Sequence, residues 1–274
     1  MDHNEVSLAK EVLYGSGKHY FWYLDPQFRV LFDLYQGGSI GDLRPYMSEI
    51  EVTTGPDTKH GFMGSYPYLI HSQHRTGHLN HFADGSRTTL LMNIDGIDVD
   101  LADIELKCEE VFQGNKGFTT KPVKVKFGDH IEVTLKTTVD LSEPGKIIIE
   151  REVVDIDGAK SDSIEVTEYL KGCYGTTDYP EDMKNIVLSI DDDDTKSLRY
   201  AYKRRRVEGD AVSKVQALIP EINTIVGLSP IDTNNWDGVV EEGILFNPFY
   251  TLRLTRKVKT GEKTKICLYL KTTK

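Results

Sequence analysis

Short segments of alternating apolar and polar residues recur along the whole chain and limit what it can fold into. In one of them Ile131, Val133 and Leu135 stand between polar residues, and residues 266–270 repeat the pattern. Because successive side chains of a β-strand point to opposite faces, each segment predicts a strand with one buried face. Residues 123–127 alternate in the same way, and a Gly-Asp turn separates them from the first segment, which predicts a hairpin.

Strand patterns of this kind outnumber helical ones. Only residues 6–13 and 211–219 have a loosely helical or ambiguous pattern. Further strands are predicted at residues 30–35, 49–53, 88–92, 97–106, 147–156, 164–170, 186–190, 198–202 and 250–258. Many short strands at regular spacing favour an all-β protein, a large antiparallel β-sandwich of the supersandwich type with few short helices. With no linker-like composition, residues 1–274 are expected to form a single domain.

Two local features of these strands are also predicted. The strand at residues 97–106 shifts its alternation by one position in the middle, which predicts a β-bulge. Residues 250–258 and 266–270 flank a Thr-Gly turn, which predicts a C-terminal hairpin.

The charge of the chain limits its partners. The 274 residues carry a net charge of -10, so the surface repels phosphate backbones and nucleic acid is not an expected partner. A basic run at residues 203–206 follows an acidic run at residues 191–194. We interpret the two runs as compensating charges on a solvated hairpin.

Cysteine usage and the N-terminus predict the compartment. The three cysteines, Cys108, Cys173 and Cys267, form no C-x-x-C pair, which argues against a disulfide framework or a zinc-thiolate site. No signal peptide and no apolar run of about 18 residues is visible, so we expect a cytoplasmic protein without a membrane partner. Phosphate-binding glycine motifs are also missing, so no cofactor is predicted, and no residue is assigned as a metal ligand. The sequence leaves open whether the protein is an oligomer.

A double-glycine turn gives the sequence its clearest likeness to known proteins. An apolar strand ends at Gly37 and Gly38, and Ile40 and Leu43 follow at a spacing of three. The glycines permit positive φ, so the strand can fold back sharply. This G-G-x-I-x-x-L pattern resembles the opening hairpin of galactose-mutarotase-like sandwiches, the fold of aldose epimerases and of accessory domains in many sugar-active enzymes. The resemblance implies a sugar or glycoside as the ligand.

A histidine-rich segment is the densest group of reactive side chains. Four of the eight histidines fall within eleven residues: His71, His74, His78 and His81. Three interpretations remain open. The pairs spaced three apart could bind a metal ion, a histidine could transfer protons near neutral pH, or the histidines could make local hydrogen bonds in a surface loop.

The family resemblance suggests which of these residues would react. In aldose epimerases a histidine protonates the ring oxygen of the sugar, and a glutamate late in the chain removes the proton of the anomeric hydroxyl. By position in the chain, the resemblance implies His71 or His74 for the first role. It implies Glu241 or Glu242 for the second. The alternative for both glutamates is an exposed loop carboxylate.

Other residues are predicted to bind the substrate. Arg75 could hold an anionic group, and aromatic rings could stack on a sugar ring; the full predicted set is Arg75, His78, His81, Tyr68, Trp22 and Trp236. The alternative for Trp22 is core or inter-sheet packing.

Three function classes follow. The first is a carbohydrate-active enzyme that uses histidine and carboxylate acid–base chemistry for epimerisation, elimination or hydrolysis. The second is a non-catalytic carbohydrate-binding or accessory module, which would show an open aromatic strip. The third is a small-molecule isomerase or cyclase, which would show a closed apolar cavity.

Overall fold

The residues that the structure describes form three antiparallel β-sheets. The structure, a computed structural model, describes residues 5–11, 18–24, 28–45, 69–71, 86–173, 184–233, 235–244 and 247–273. Within these residues, the helical elements that have been assigned are 3₁₀ turns of three residues each. The predicted all-β sandwich is therefore confirmed, whereas the single-domain assignment of residues 1–274 stays a prediction.

The first sheet, called the N-terminal sheet, has five strands in chain order: β1 (Glu5–Glu11), β2 (Lys18–Leu24), β3 (Phe28–Asp33), β4 (Ser39–Pro45) and β5 (Ile70–His71). The loosely helical pattern at residues 6–13 was misleading, because β1 pairs with β2 along its full length.

The double-glycine turn joins β3 to β4, as predicted. Gly37 and Gly38 have φ values of 66° and 67°. A Cβ atom on Gly37 would lie 2.1 Å from the carbonyl oxygen of Leu101, so the turn needs glycine both for its dihedral angles and for its close packing.

The second and third sheets carry the remaining strands. The ten-stranded sheet contains β8 (Cys108–Val111), β9 (Gly117–Thr120), β10 (Val123–Phe127), β11 (Ile131–Asp140), β12 (Lys146–Asp157), β14 (Val187–Ile190), β15 (Ser197–Arg199), β17 (Val215–Ile219), β18 (Thr224–Pro230) and β21 (Lys263–Thr272). The six-stranded sheet has the order β16 (Arg206–Gly209), β19 (Asp237–Ile244), β20 (Asn247–Lys259), β13 (Ser163–Gly172), β6 (Arg87–Ile94) and β7 (Ile97–Asp100). The predicted β10–β11 hairpin is confirmed.

The predicted C-terminal hairpin is wrong. β20 pairs with β13 and β19 in the six-stranded sheet, whereas β21 pairs with β12 and β18 in the ten-stranded sheet. The turn between them therefore crosses from one sheet to the other, and the N–H of Gly261 is anchored to the carbonyl of Val153 at 2.7 Å. An alternating pattern specifies a strand with two different faces, but it does not specify which strand lies beside it.

The strand predicted at residues 97–106 is shorter than expected. β7 ends at Asp100, whose carboxylate accepts the N–H of Ala102 at 2.8 Å and caps a 3₁₀ turn over Leu101–Asp103. The shift in alternation therefore marks this turn, and the predicted bulge is wrong. A side chain that accepts a nearby backbone N–H offers the chain an alternative to the sheet ladder.

In the described residues the sheets enclose a large contiguous apolar core, and Cys173 and Phe249 form a second, small buried cluster. The N-terminal sheet packs on the ten-stranded sheet through Phe21 and Phe32, whose rings lie 4.8 and 5.4 Å from that of Phe118. It meets the six-stranded sheet where the N–H of Ile40 donates to the hydroxyl of Thr88 at 2.8 Å.

A charged pair is buried between two of the sheets. Arg151 of the ten-stranded sheet and Glu168 of the six-stranded sheet are both nearly fully buried, with Nε and Oε1 3.3 Å apart. Arg151 also donates to the hydroxyl of Thr137 at 2.7 Å. Burial raises the pKa of Glu168 above its ordinary value even with Arg151 beside it. The pair links the two sheets, but desolvation offsets much of what it contributes to stability.

We expect Arg151→Met to lower the free energy of unfolding by about 3–5 kcal/mol, because it leaves a buried carboxyl group without its partner. The double variant Arg151→Met with Glu168→Leu should recover at least half of that loss, since both polar groups are then gone. Urea unfolding of the parent, the single and the double variant measures both values. A double variant no more stable than the single one would show that the charged pair itself holds the sheets together.

Candidate functional site

A pocket of about 230 Å³ opens on the six-stranded sheet. Along β13 and β20 the buried residues alternate with residues that point away from the core, and one end of this outward face lines the pocket. Its size suits a monosaccharide-sized ligand, since pockets for drug-sized molecules usually span roughly 300–1,000 Å³. The lining is formed by Tyr169, Lys171, Arg204, Glu241, Glu242, Gly243, Ile244, Phe249, Thr251 and Arg253.

The strand register places the polar lining residues in rows. Glu241 lies opposite Thr251, Thr251 opposite Lys171, and Lys171 opposite Arg87. These four residues therefore form a row across four strands on the outward face. Directly opposite residues have Cβ atoms about 5 Å apart, so Glu241, Thr251 and Lys171, which line the pocket, can reach one small ligand together.

Contacts with aromatic rings hold the basic side chains of the pocket in place. The guanidinium of Arg253 lies 5.2 Å from the ring centre of Tyr169, and its Nη2 lies 3.5 Å from the carboxylate of Glu241. The ammonium of Lys171 lies 4.5 Å from the ring centre of Phe249. Both cations stand over aromatic faces, which attract positive charge and hold the side chains in place.

One wall of the pocket is built around a β-bulge. The pairing of β19 with β20 shifts between Glu242 and Ile244, beside Gly243. The hydroxyl of Tyr200 spans this irregularity, accepting the N–H of Gly243 at 3.2 Å and donating to the carbonyl of Phe249 at 3.1 Å. Burial raises the pKa of Tyr200 well above its ordinary value, so the hydroxyl keeps the proton that it donates. Bulges are frequent beside functional sites because they redirect side chains.

The second wall is a loop held by Glu242. The buried carboxylate of Glu242 accepts the backbone N–H groups of Ala201, Lys203 and Arg205. Between these donors, Tyr202 and Arg204 have φ values of 61° and 55°. Left-handed residues at alternate positions turn successive N–H groups toward one side, and such a concave backbone segment binds an anion. Here the anion is a side chain of the same protein.

Arg205 completes this arrangement, since its Nε donates to the carboxylate of Glu242 at 2.7 Å. Burial by itself would raise the pKa of Glu242, but the bonds from Arg205 and from the three N–H groups outweigh it and hold the pKa below its ordinary value. Glu242 is therefore ionised and fully engaged, and it positions Arg204 at the pocket. The neighbouring residue Glu241 faces the pocket and contacts Arg253.

The predicted aromatic platforms lie elsewhere. Trp236 is fully buried, and its indole N–H donates to Asp232 at 3.1 Å, so its ring offers no open face to a ligand. Trp22 is half-buried on the N-terminal sheet, and the guanidinium of Arg29 covers its ring at 5.0 Å. The described residues of the pocket therefore contain neither tryptophan.

Most of the histidine-rich segment lies outside the described residues, including Tyr68, His74, Arg75, His78 and His81. The backbone of His71 is described, and it pairs with Asp42 at the edge of the N-terminal sheet. Among the residues that the structure does describe, no three histidine, cysteine or carboxylate side chains could hold a metal ion together.

The described residues on either side of that segment approach one strand of the pocket. The carbonyl of Leu69 accepts the N–H of Cys173 at 3.0 Å, and the thiol of Cys173 donates to the hydroxyl of Ser86 at 3.2 Å. Cys173 is two residues beyond Lys171 in the chain.

The sequence interpretation missed most of the pocket. Tyr169, Thr251 and Arg253 occupy two predicted strands and Lys171 directly follows one of them, but the sequence pattern singles out none of the four. Arg204 belongs to the basic run that was interpreted as part of a solvated hairpin. The only signal for these residues was their alternation with apolar neighbours, and it does not show which strands are adjacent.

Comparisons with known proteins identify the fold. No family model matches the sequence, and a search of curated proteins finds no match either. Solved structures do match. A galactose mutarotase-like protein from Clostridium acetobutylicum has a TM-score of 0.57 and 8% identity, over 98% of this chain and 99% of that one. An aldose epimerase homologue from C. elegans has a TM-score of 0.57 and 6% identity, over 94% and 100% of the two chains.

A larger enzyme contains the same fold. The 4-alpha-glucanotransferase from Thermococcus litoralis matches with a TM-score of 0.55 and 9% identity, over 99% of this chain. The chain spans 39% of the length of that protein. None of the helical turns in the described residues has the length and apolarity needed to cross a membrane.

Glu241 and Glu242 have different surroundings, so their replacement should change the free energy of unfolding by different amounts. We expect Glu242→Gln to lower the free energy of unfolding by about 3 kcal/mol near neutral pH, because an amide cannot accept from all of these donors. The matched control Glu241→Gln should change it by no more than about 1 kcal/mol. Chemical denaturation measures both.

The effect of Glu242→Gln should also depend on pH. Since the pKa of Glu242 is lowered by folding, the carboxylate stabilises the protein above the ordinary value of 4.5. That contribution is lost as the pH falls through the lower folded-state value, so the gap between parent and variant should close in acid. A gap that widens in acid would contradict the assignment.

Proposed function

Because the chain has the fold of galactose mutarotase-like proteins, we propose that it is a carbohydrate-active protein that binds a sugar in the pocket of the six-stranded sheet. One observation carries the proposal. Glu241 is a half-buried pocket carboxylate that is not locked into the structure, and it stands in one row with Thr251 and Lys171. A hydroxyl, an ammonium and a carboxylate in one row match the donors and acceptors of a sugar ring.

We propose acid–base chemistry for this site. Glu241 would accept a proton from a sugar hydroxyl, as the family resemblance implies, and Arg253 and Lys171 would orient the ring. Glu242 would have a positioning role, since its carboxylate holds the loop that carries Arg204. The pocket lining is mainly polar and charged, which fits a sugar better than the apolar substrate of a cyclase.

We expect Glu241→Gln to lower turnover by about 10²–10⁴-fold, the usual range for the loss of a general acid or base. Three reactions are measured for parent and variant: anomer interconversion of aldohexoses by exchange NMR, hydrolysis of nitrophenyl glycosides, and formation of unsaturated uronates by absorbance. Glu152→Gln, which removes a carboxylate from the ten-stranded sheet, serves as control. A Glu241→Gln variant as active as the parent would exclude this role.

The proton donor that acts together with Glu241 is proposed to be His71 or His74, as the family resemblance implies. We expect His74→Ala to abolish turnover with little change in melting temperature, because the imidazole acts on the sugar and not on the fold. His130→Ala alters an exposed turn residue and should leave turnover unchanged. Equal turnover in His74→Ala and the parent would reject His74 as the donor.

A second candidate is a non-catalytic accessory module. It is favoured by the match to part of a longer glucanotransferase. In that case the pocket binds sugars with measurable affinity, all three reactions stay at the uncatalysed rate, and Glu241→Gln changes binding alone.

A further inference from the structure

The loop beside the pocket concentrates positive charge on an acidic protein. Residues 199–206 contain five basic side chains and no acidic one, whereas the whole chain has 43 acidic and 33 basic residues. All five basic residues are exposed, and together they are called the basic rim: Arg199, Lys203, Arg204, Arg205 and Arg206. A short ligand would experience mainly this local charge, because salt at physiological concentration screens charges more than about 8 Å away.

Carboxylates of the protein neutralise only part of the basic rim. Arg205 pairs with Glu242, and Arg206 pairs with Glu208. Within the ranges that the structure describes, the other three side chains of the rim form no ion pair. The rim therefore keeps an excess of positive charge at the surface.

The acidic run at residues 191–194 is engaged elsewhere. Asp191 accepts the N–H groups of Ser213 and Lys214 at 2.7 and 2.9 Å, and Asp192 pairs with the ammonium of Lys214. Among the described residues, no ion pair joins this run to the basic rim. The compensation between the two runs that the sequence suggested is therefore not made by direct contacts.

The backbone holds the basic rim in one shape. Three N–H groups of the loop bind the buried carboxylate of Glu242, with Tyr202 and Arg204 in the left-handed conformation between them. Arg205 also donates to the carbonyl of Arg199, which ties the first residue of the rim to the others. Left-handed residues other than glycine are strained, and such strain is concentrated at functional sites. A surface that is ordered in advance loses less entropy when it binds a partner.

From these observations we propose that the basic rim is a docking surface for an acidic polypeptide segment of another protein. Arginine clusters of fixed geometry recognise carboxylate-rich segments through charge-assisted hydrogen bonds. A short acidic segment contacts the rim alone, whereas a long nucleic acid would also meet the acidic remainder of the surface. Arg204 lines the pocket as well, so the docked segment lies at the edge of the pocket. This inference goes beyond the proposed function and does not depend on it.

Fluorescence polarisation measures the docking on the full-length chain. The probes are a fluorescein-labelled oligo-glutamate peptide and an oligo-glutamine peptide of the same length. We expect the acidic peptide to bind at least about tenfold more tightly at low salt, with a difference that shrinks as the salt concentration rises.

Variants locate the docking surface. The double variant Arg199→Gln with Lys203→Gln should weaken binding of the acidic peptide roughly tenfold, because it removes two cations that have no partner in the described structure. The matched control is the double variant Lys126→Gln with Lys257→Gln, which removes two exposed cations from other strands and should change the affinity less than about twofold. Unchanged melting temperatures show that these variants are folded.

The variant Glu242→Gln separates the shape of the loop from its charge. It removes a negative charge beside the rim, so a surface that acts through charge alone would bind the acidic peptide more tightly. We expect the opposite, a loss of about tenfold, because the amide cannot hold all the N–H groups that fix the loop. Circular dichroism shows whether this variant is folded, and the double variant of Arg199 and Lys203 tests the rim without altering its anchor.

Equal binding of the two peptides, an equal loss in the lysine control, or tighter binding by folded Glu242→Gln each overturns the inference. Oligothymidylate or heparin that binds as tightly as the acidic peptide also overturns it, since the rim would then be a surface for any polyanion. Sugar binding in the pocket is measured separately, so none of these results decides the proposed function.

Discussion

The pairing of β13 with β20 sets both the core and the pocket of this protein. The two strands run antiparallel over ten residue pairs, from Ser163 opposite Lys259 to Gly172 opposite Tyr250. One face of this ribbon buries Leu170 against the rest of the core. The other face carries the cations and aromatic rings of the pocket. A slip of one residue would exchange the two faces, so the apolar core holds the pocket residues in their rows.

Glu241 and Glu242 show how one strand divides two roles between neighbours. The sequence offers two adjacent carboxylates, and the strand turns them to opposite faces. Glu242 points toward a loop whose N–H groups donate to its carboxylate, and there it is bound as an internal anion. Glu241 points outward into the pocket. The strain of two left-handed residues in the loop is sustained by this one buried carboxylate.

A charged pair is also buried between two of the sheets. Arg151 and Glu168 belong to different sheets, and their contact links the six-stranded sheet to the ten-stranded one. The desolvation of both groups makes the pair a weak source of stability. The fold that this chain shares with solved structures does not by itself determine its chemistry. At 6–9% identity it provides a scaffold, and the chemistry depends on the side chains of this chain's own pocket.

The sequence by itself determined the strands, the double-glycine hairpin and the all-β class, because alternation and turn residues act over a few positions. The family resemblance and the place in the chain also made Glu241 and Glu242 candidates for the catalytic base. The sequence did not show that β20 and β21 lie in different sheets, that Glu242 binds a loop, or that Lys171 and Arg253 share a pocket with Glu241. These facts depend on contacts between segments that lie far apart in the chain, such as β13 and β20. Only the tertiary structure decides that, since alternating patterns of equal quality can pair in many ways and the packing of the whole core selects one.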